Sequence, residues 1–131
     1  VLTRRQIRKG VHAALAFWRP ITGLDRWTLA CRWRAVPDRD DVPAGFTCTP
    51  EYTDGELYLN MDLLAPSYYA STQAHLSYLI LHELCHGLNG EVVEQVAPDA
   101  RSEPFRKAME RNTSMIARAV WVAKFGTEPP E

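Results

Sequence analysis

The run Ile80-Leu81-His82-Glu83-Leu84-Cys85-His86-Gly87-Leu88 sets two histidines and a glutamate among apolar residues. Dehydrating such groups is costly unless something binds them, so either the run is exposed or it holds a ligand. Working outward, apolar residues from Leu76 through Leu88 fall on every face of a helical wheel. A helix apolar all round is a central one with protein on all sides. Ser71 or Thr72 supplies its N-cap, and Gly87 or Gly90 is expected to end it at about Leu88.

The flanking segments supply the layers that cover it. Ile7, Val11, Ala14, Leu15 and Trp18 recur at helical spacing behind the N-cap Thr3, with Pro20 and Gly23 as stop signals. Trp27, Leu29, Cys31 and Trp33 alternate with Thr28, Ala30, Arg32 and Arg34, the period of a half-buried strand. After a polar loop at Pro37–Gly45, Phe46 and Cys48 form a second short strand closed by Pro50. Leu57, Leu59 and Met61 alternate in a third. A last helix starts near Ser102, with Pro104 in its first turn and Gly126 past its end. Its expected inner face is Phe105, Met109, Asn112, Ile116, Val120 and Ala123. The order predicts an α+β fold: a small, mostly antiparallel three-stranded sheet packed with three helices, the 80–88 run lying on the central buried helix.

Bulk properties bound the function. The 131 residues suit one domain, spanning 1–131, and 46% hydrophobic with 24% charged residues is an ordinary globular mixture. A net charge of −1 gives no bulk reason for a nucleic-acid or membrane partner. The basic cluster Arg4, Arg5, Arg8 and Lys9 reads as a solvated helix face. Cys31, Cys48 and Cys85 show no CxxC pairing, which fits a reducing compartment, although a Cys31–Cys48 bridge is open to them. The apolar run Val11–Trp18 contains His12 and is followed by no cleavage site, so a soluble, cytoplasmic protein is expected.

The spacing of the opening run carries its chemistry. His82 and His86 are four apart, so on a helix both imidazoles lie on one face about a turn from each other and can reach one cation. Zn²⁺ takes neutral nitrogen ligands in tetrahedral geometry, one ion per chain. Glu83, beside His82, can meet a water there as general base. His75 is almost two turns from His82, too far to share the ion. Cys85 points about 100° from His86, away from the histidine face, and reads as core. Tyr52, Tyr58, Tyr68 and Tyr69 are candidates to stabilise an oxyanion.

With HExxH at 82–86, the chain resembles the zincin metallopeptidases, in particular compact SprT-like and minimal gluzincin domains. "LSYLILHELCHGL" is similar to their active-site helix, "ELYLNMDLL" to the strand edging the cleft and "SEPFRKAMERN" to the following helix. The resemblance implies a zincin-like domain that hydrolyses peptide bonds, with His82 and His86 on zinc and Glu83 as base. The family's third ligand is not matched: Arg101 stands where SprT-like domains place a histidine, and Asn89 and Val92 occupy the glycine and histidine places of the metzincin pattern. Carboxylates then remain: Glu91, Glu94, Asp99, Glu103 and Glu110. Glu103, at the start of the next helix where gluzincins tend to place a ligand glutamate, is the first choice and Glu94 the second.

Three functions compete. The first is a zinc peptidase that binds an extended peptide or protein substrate along an exposed sheet edge. The second is a non-catalytic assembly protein retaining the fold, against which the presence of Glu83 argues. The third is a DNA-associated SprT-like protease using Arg4, Arg5, Arg8, Lys9, Arg32 and Arg34 on phosphates, which the net charge disfavours.

Overall fold

A computed structural model of the chain describes residues 1–49, 51 and 53–130, and the side chains of Glu91 and Glu94 lie outside that description. Pro50, expected to close the second strand, therefore falls outside the described residues.

Helix α1 (Arg4–Thr22) starts with a reciprocal capping box, Gln6 N–H donating to Thr3 Oγ1 at 3.1 Å and Thr3 N–H to Gln6 Oε1 at 2.9 Å. It runs through Pro20 and stops at Gly23, whose φ of 78° is the left-handed C-cap conformation. Its buried stripe, Ile7, Val11, Ala14 and Trp18, lies on the long helix described below, where Trp18 Nε1 donates to Ser77 Oγ at 2.9 Å.

Strands β1 (Thr28–Arg32), β2 (Ala44–Thr49) and β3 (Asp54–Leu59) form one sheet in the order β1-β3-β2. β2 pairs antiparallel with β3, Phe46 opposite Leu57, whereas β1 pairs parallel with it, Leu29 opposite Gly55. The sheet is thus mixed, not mostly antiparallel. Alternation of side chains is blind to strand direction. The chain decides it by carrying 33–43 from the end of β1 across the end of β3 to the far edge. Asn60 N–H donating to Pro43 O at 2.9 Å ties that crossing down.

A fourth helical element was also hidden. β3 ends at Leu59, and Met61 begins a single turn, α2 (Met61–Leu64), instead of extending the strand. Met61 and Leu64, three apart, are the buried pair that a helical turn aligns.

Helix α3 (Gln73–Gln95) is capped by Thr72, whose hydroxyl accepts from His75 N–H at 3.1 Å. It passes through Gly87 and Gly90 and ends seven residues beyond the expected Leu88. Gly87 serves packing instead of capping: a Cβ there would stand 3.2 Å from Phe46 Cε1 and 3.3 Å from Leu24 Cδ1. Helix α4 (Glu103–Phe125) has Ser102 as N-cap and Gly126, φ 72°, as C-cap. Its buried residues are Thr113, Ala117 and Trp121; Asn112 and Ala123, expected on that face, are exposed.

The buried residues form one cluster, with Leu76, Ile80, Leu81, Leu84 and Cys85 of α3 at its centre between α1, α4 and the sheet. Each fully buried leucine contributes roughly 1.5–3 kcal/mol. Trp18, Tyr78 and Trp121 join α1, α3 and α4, with ring centroids 5.7 Å (Trp18–Trp121) and 5.5 Å (Tyr78–Trp121) apart. Among the described residues no helix is long and apolar enough to cross a membrane.

Candidate metal centre

The third and fourth turns of α3 carry His82, Glu83 and His86 to the wall of a cleft of about 1030 Å³. Its other walls are the crossing segment (Val36, Pro37, Arg39, Val42), edge strand β2 from Ala44 to Thr47, and the N-terminal half of α4. The rings of His82 and His86 are 5.0 Å apart between centroids and nearly perpendicular, at 80°.

Glu110 of α4 meets both. Its Oε1 is 2.8 Å from His82 Nε2 and its Oε2 is 3.2 Å from His86 Nε2. The ligand atoms of these three residues lie within 4.8 Å of one another. The two imidazoles are mostly covered, at 19% and 30% side-chain exposure, while the carboxylate at 56% faces the cleft. Burial holds the His86 imidazole below its ordinary value, opposed by the charge of Glu110 and reinforced by His82.

Glu83 is only 7% exposed. Burial first, and the neighbouring charge of Glu110 second, push its carboxyl up to about 8.

The remaining candidates disperse. Glu103, expected at the metal, lines the cleft but is not in the three-residue set. It pairs with Lys107 at 3.2 Å and sits two turns before Glu110, about 10 Å along the helix. Asp99 is exposed in the turn Pro98–Ala100, and the side chains of Glu91 and Glu94 lie outside the description. Arg101 donates from Nε to Val96 O at 2.8 Å and so closes the end of α3. His75 packs edge-on against Tyr68 at the start of α3, with Thr72 Oγ1 at 2.6 Å. Of the tyrosines, Tyr69 lines the cleft, Tyr58 donates to Glu56, and Tyr52 falls outside the described residues. Tyr78, which drew no attention in the sequence, is also in the cleft wall.

The cleft-edging strand is likewise reassigned. Glu56–Leu59, within the segment expected to border the site, forms the middle of the sheet, and β2 is the strand at the cleft. Cys85 is fully buried and its thiol is raised by burial to about 12, which leaves it a core residue. No protein-family model, curated protein or solved structure matches this chain.

Proposed function

We propose that this chain is a zinc-dependent peptidase, its metal held by His82, His86 and Glu110 and its general base Glu83. The observation that carries the reading is the convergence of two imidazole nitrogens and one carboxylate on a single point in the cleft wall, next to a buried carboxyl. The donor set fits the ion. Ligands about 2.0–2.2 Å from a tetrahedral zinc stand roughly 3.3–3.5 Å from each other. The two Nε2–carboxylate separations here, to different oxygens of Glu110, are 2.8 and 3.2 Å, so the three groups need to part by only a few tenths of an ångström to admit an ion. Two neutral nitrogens and one anion also match the softness and charge that zinc takes.

Zn²⁺ bound there supplies Lewis-acid polarisation of a carbonyl and acidification of water at neutral pH. Glu83 takes a proton from the attacking water on its carboxylate and hands it to the leaving amine nitrogen. Burial favours the neutral form of Glu83 and a dication beside it the ionised form, so the two together tune it near working pH. β2, at the sheet edge and in the cleft wall, offers backbone N–H and C=O groups to an extended peptide.

The nucleic-acid reading has less support. Arg4 pairs with Asp62 and Arg32 with Glu56, while Arg8 and Arg34 lie over the rings of Trp33 and Tyr58. A purely structural site gives no reason to bury Glu83.

Zinc content and competition titration test the proposal. Wild type should bind about one zinc per chain. His82→Ala, His86→Ala and Glu110→Ala should each lower affinity by at least tenfold, and Glu103→Ala should leave it unchanged. Glu83→Gln should retain zinc and fold while losing hydrolysis of a mixed peptide library. No zinc uptake by wild type, or a Glu83→Gln variant as active as wild type, overturns it.

A further inference from the structure

A polar contact adjoining the triad, on the seam between α3 and α4, has no part in the chemistry above. Asn89, one turn after His86, donates from Nδ2 to Thr113 Oγ1 at 2.7 Å, and Thr113 stands one turn after Glu110. Thr113 Oγ1 in turn donates to Met109 O at 2.9 Å, and Asn112 Nδ2 donates to Asn89 Oδ1 at 3.0 Å. Thr113 is fully buried and Asn89 is 6% exposed.

Burying an amide and a hydroxyl where a leucine and a valine would fit brings little net stability, since each hydrogen bond replaces one to water. What directional bonds supply is register: apolar surfaces tolerate sliding, whereas a buried donor and acceptor must meet. α4 needs that. Between Glu103 and Asn112 none of its described residues is buried, and Thr113 is the first that is. Glu110 thus projects from the loosely packed half of its helix, three residues before the anchor. A one-residue slip would shift it by about 1.5 Å and turn it by about 100°, taking its carboxylate off both imidazoles.

We infer that Asn89 and Thr113 are positioning residues for the metal centre: their buried hydrogen bond fixes the register of α4 on α3 that delivers Glu110 to His82 and His86. The inference rests on the zinc reading of the triad and adds to it what places the third ligand. Groups bonded directly to a ligand change metal affinity by roughly 10–100-fold when removed, and a pair acting through helix register should fall at the lower end of that range.

The test is zinc affinity by competition titration on the full chain, with circular dichroism confirming helix content. Thr113→Val removes the acceptor at nearly constant volume and should weaken zinc binding about tenfold or more. Thr113→Ser, which keeps the hydroxyl, should stay within about twofold of wild type. In a Glu110→Ala background Thr113→Val should have no further effect, because the ligand it places is gone. If Thr113→Val alone fails to fold, the apolar pair Asn89→Leu/Thr113→Val supplies the same comparison with the seam filled. Wild type binding zinc while Thr113→Val binds it equally well overturns this inference alone. So does an equal loss with and without Glu110, the mark of general destabilisation. A wild-type chain that takes up no zinc overturns the inference together with the reading beneath it.

Discussion

Gly55→Ala tests how the sheet is fitted to the helix that carries the histidines. A Cβ at position 55 would stand 2.6 Å from Phe46 Cζ and 2.7 Å from Leu29 Cδ2, where ordinary contact begins at 3.4 Å. Both neighbours would have to yield about 0.7–0.8 Å. A Cβ at Gly87 of α3 would stand 3.2 Å from Cε1 of the same Phe46 ring, which thus sits between two glycines. Overpacking of this size costs about 1–3 kcal/mol, and replacing a strand glycine returns roughly 0.5–1 kcal/mol of backbone entropy. The net loss lies within roughly 0–2.5 kcal/mol and centres at about 1.2 kcal/mol. At about 2.1 cal/mol/K per residue, 131 residues give an unfolding entropy near 0.28 kcal/mol/K. At that central value Tm should fall by roughly 4 °C, as read by thermal unfolding under chelation so that metal does not contribute. Phe46→Leu in the same chain should relieve the overlap, making the double variant more stable than the two single effects add to. A Gly55→Ala protein melting within 1 °C of wild type, or above it, would refute the packing argument.

Two other outcomes follow from burial at and beside the site. In the chelated chain, Glu83 keeps its proton up to about pH 8 when folded but releases it near 4.5 when unfolded. Folded protein holds the extra proton between those values, so stability falls as pH rises through that window. At about 1.4 kcal/mol per unit the loss amounts to a few kcal/mol. Glu83→Gln should remove that slope, and urea unfolding at pH 5 and pH 8 giving the same difference in both proteins would contradict it. Cys85, fully buried with its thiol pushed up to about 12, should resist alkylation in native protein at pH 8. Cys48, which is only partly buried, should react first; mass spectrometry showing equal labelling of the two would count against the core assignment.

What could be read before folding was local. Periodicity places α1, α4 and the strands, and an apolar run on every face places α3 at the centre, while Thr3, Thr72, Ser102, Gly23 and Gly126 act as caps where the chain puts them. Strand direction and the order β1-β3-β2 were not legible, since they depend on where 33–43 crosses. Gly87 and Gly90 both lie within α3 (Gln73–Gln95), and at Gly87 the reason is packing: a glycine that admits a neighbouring ring looks the same in sequence as one that ends a helix. Glu110 was available as one of five carboxylates, and a signal favoured it. Glu110, Thr113, Ala117 and Trp121 follow at spacings of three and four, and the last three are the buried residues of α4. Taking Phe105, Met109 and Asn112 as the inner face rotated the helix and put Glu110 outside.

The exposure of the triad separates two kinds of metal site. A structural zinc is enclosed by four protein ligands, whereas a catalytic one keeps a position open to water and substrate. Among the described residues the set comprises three, and they are unequally covered. Both imidazoles are held against α3 with less than a third of each side chain exposed, while the Glu110 carboxylate borders the cleft at 56%. Under the proposed reading, the triad on one side and the open cleft on the other would leave room for a reacting group beside β2. Glu83 lines that same cleft, buried enough to be neutral without a cation and close enough to Glu110 to sense charge there. In the proposed reading, Glu83 would take its proton from a water at that open position, which links the buried carboxyl to the His82–His86–Glu110 set.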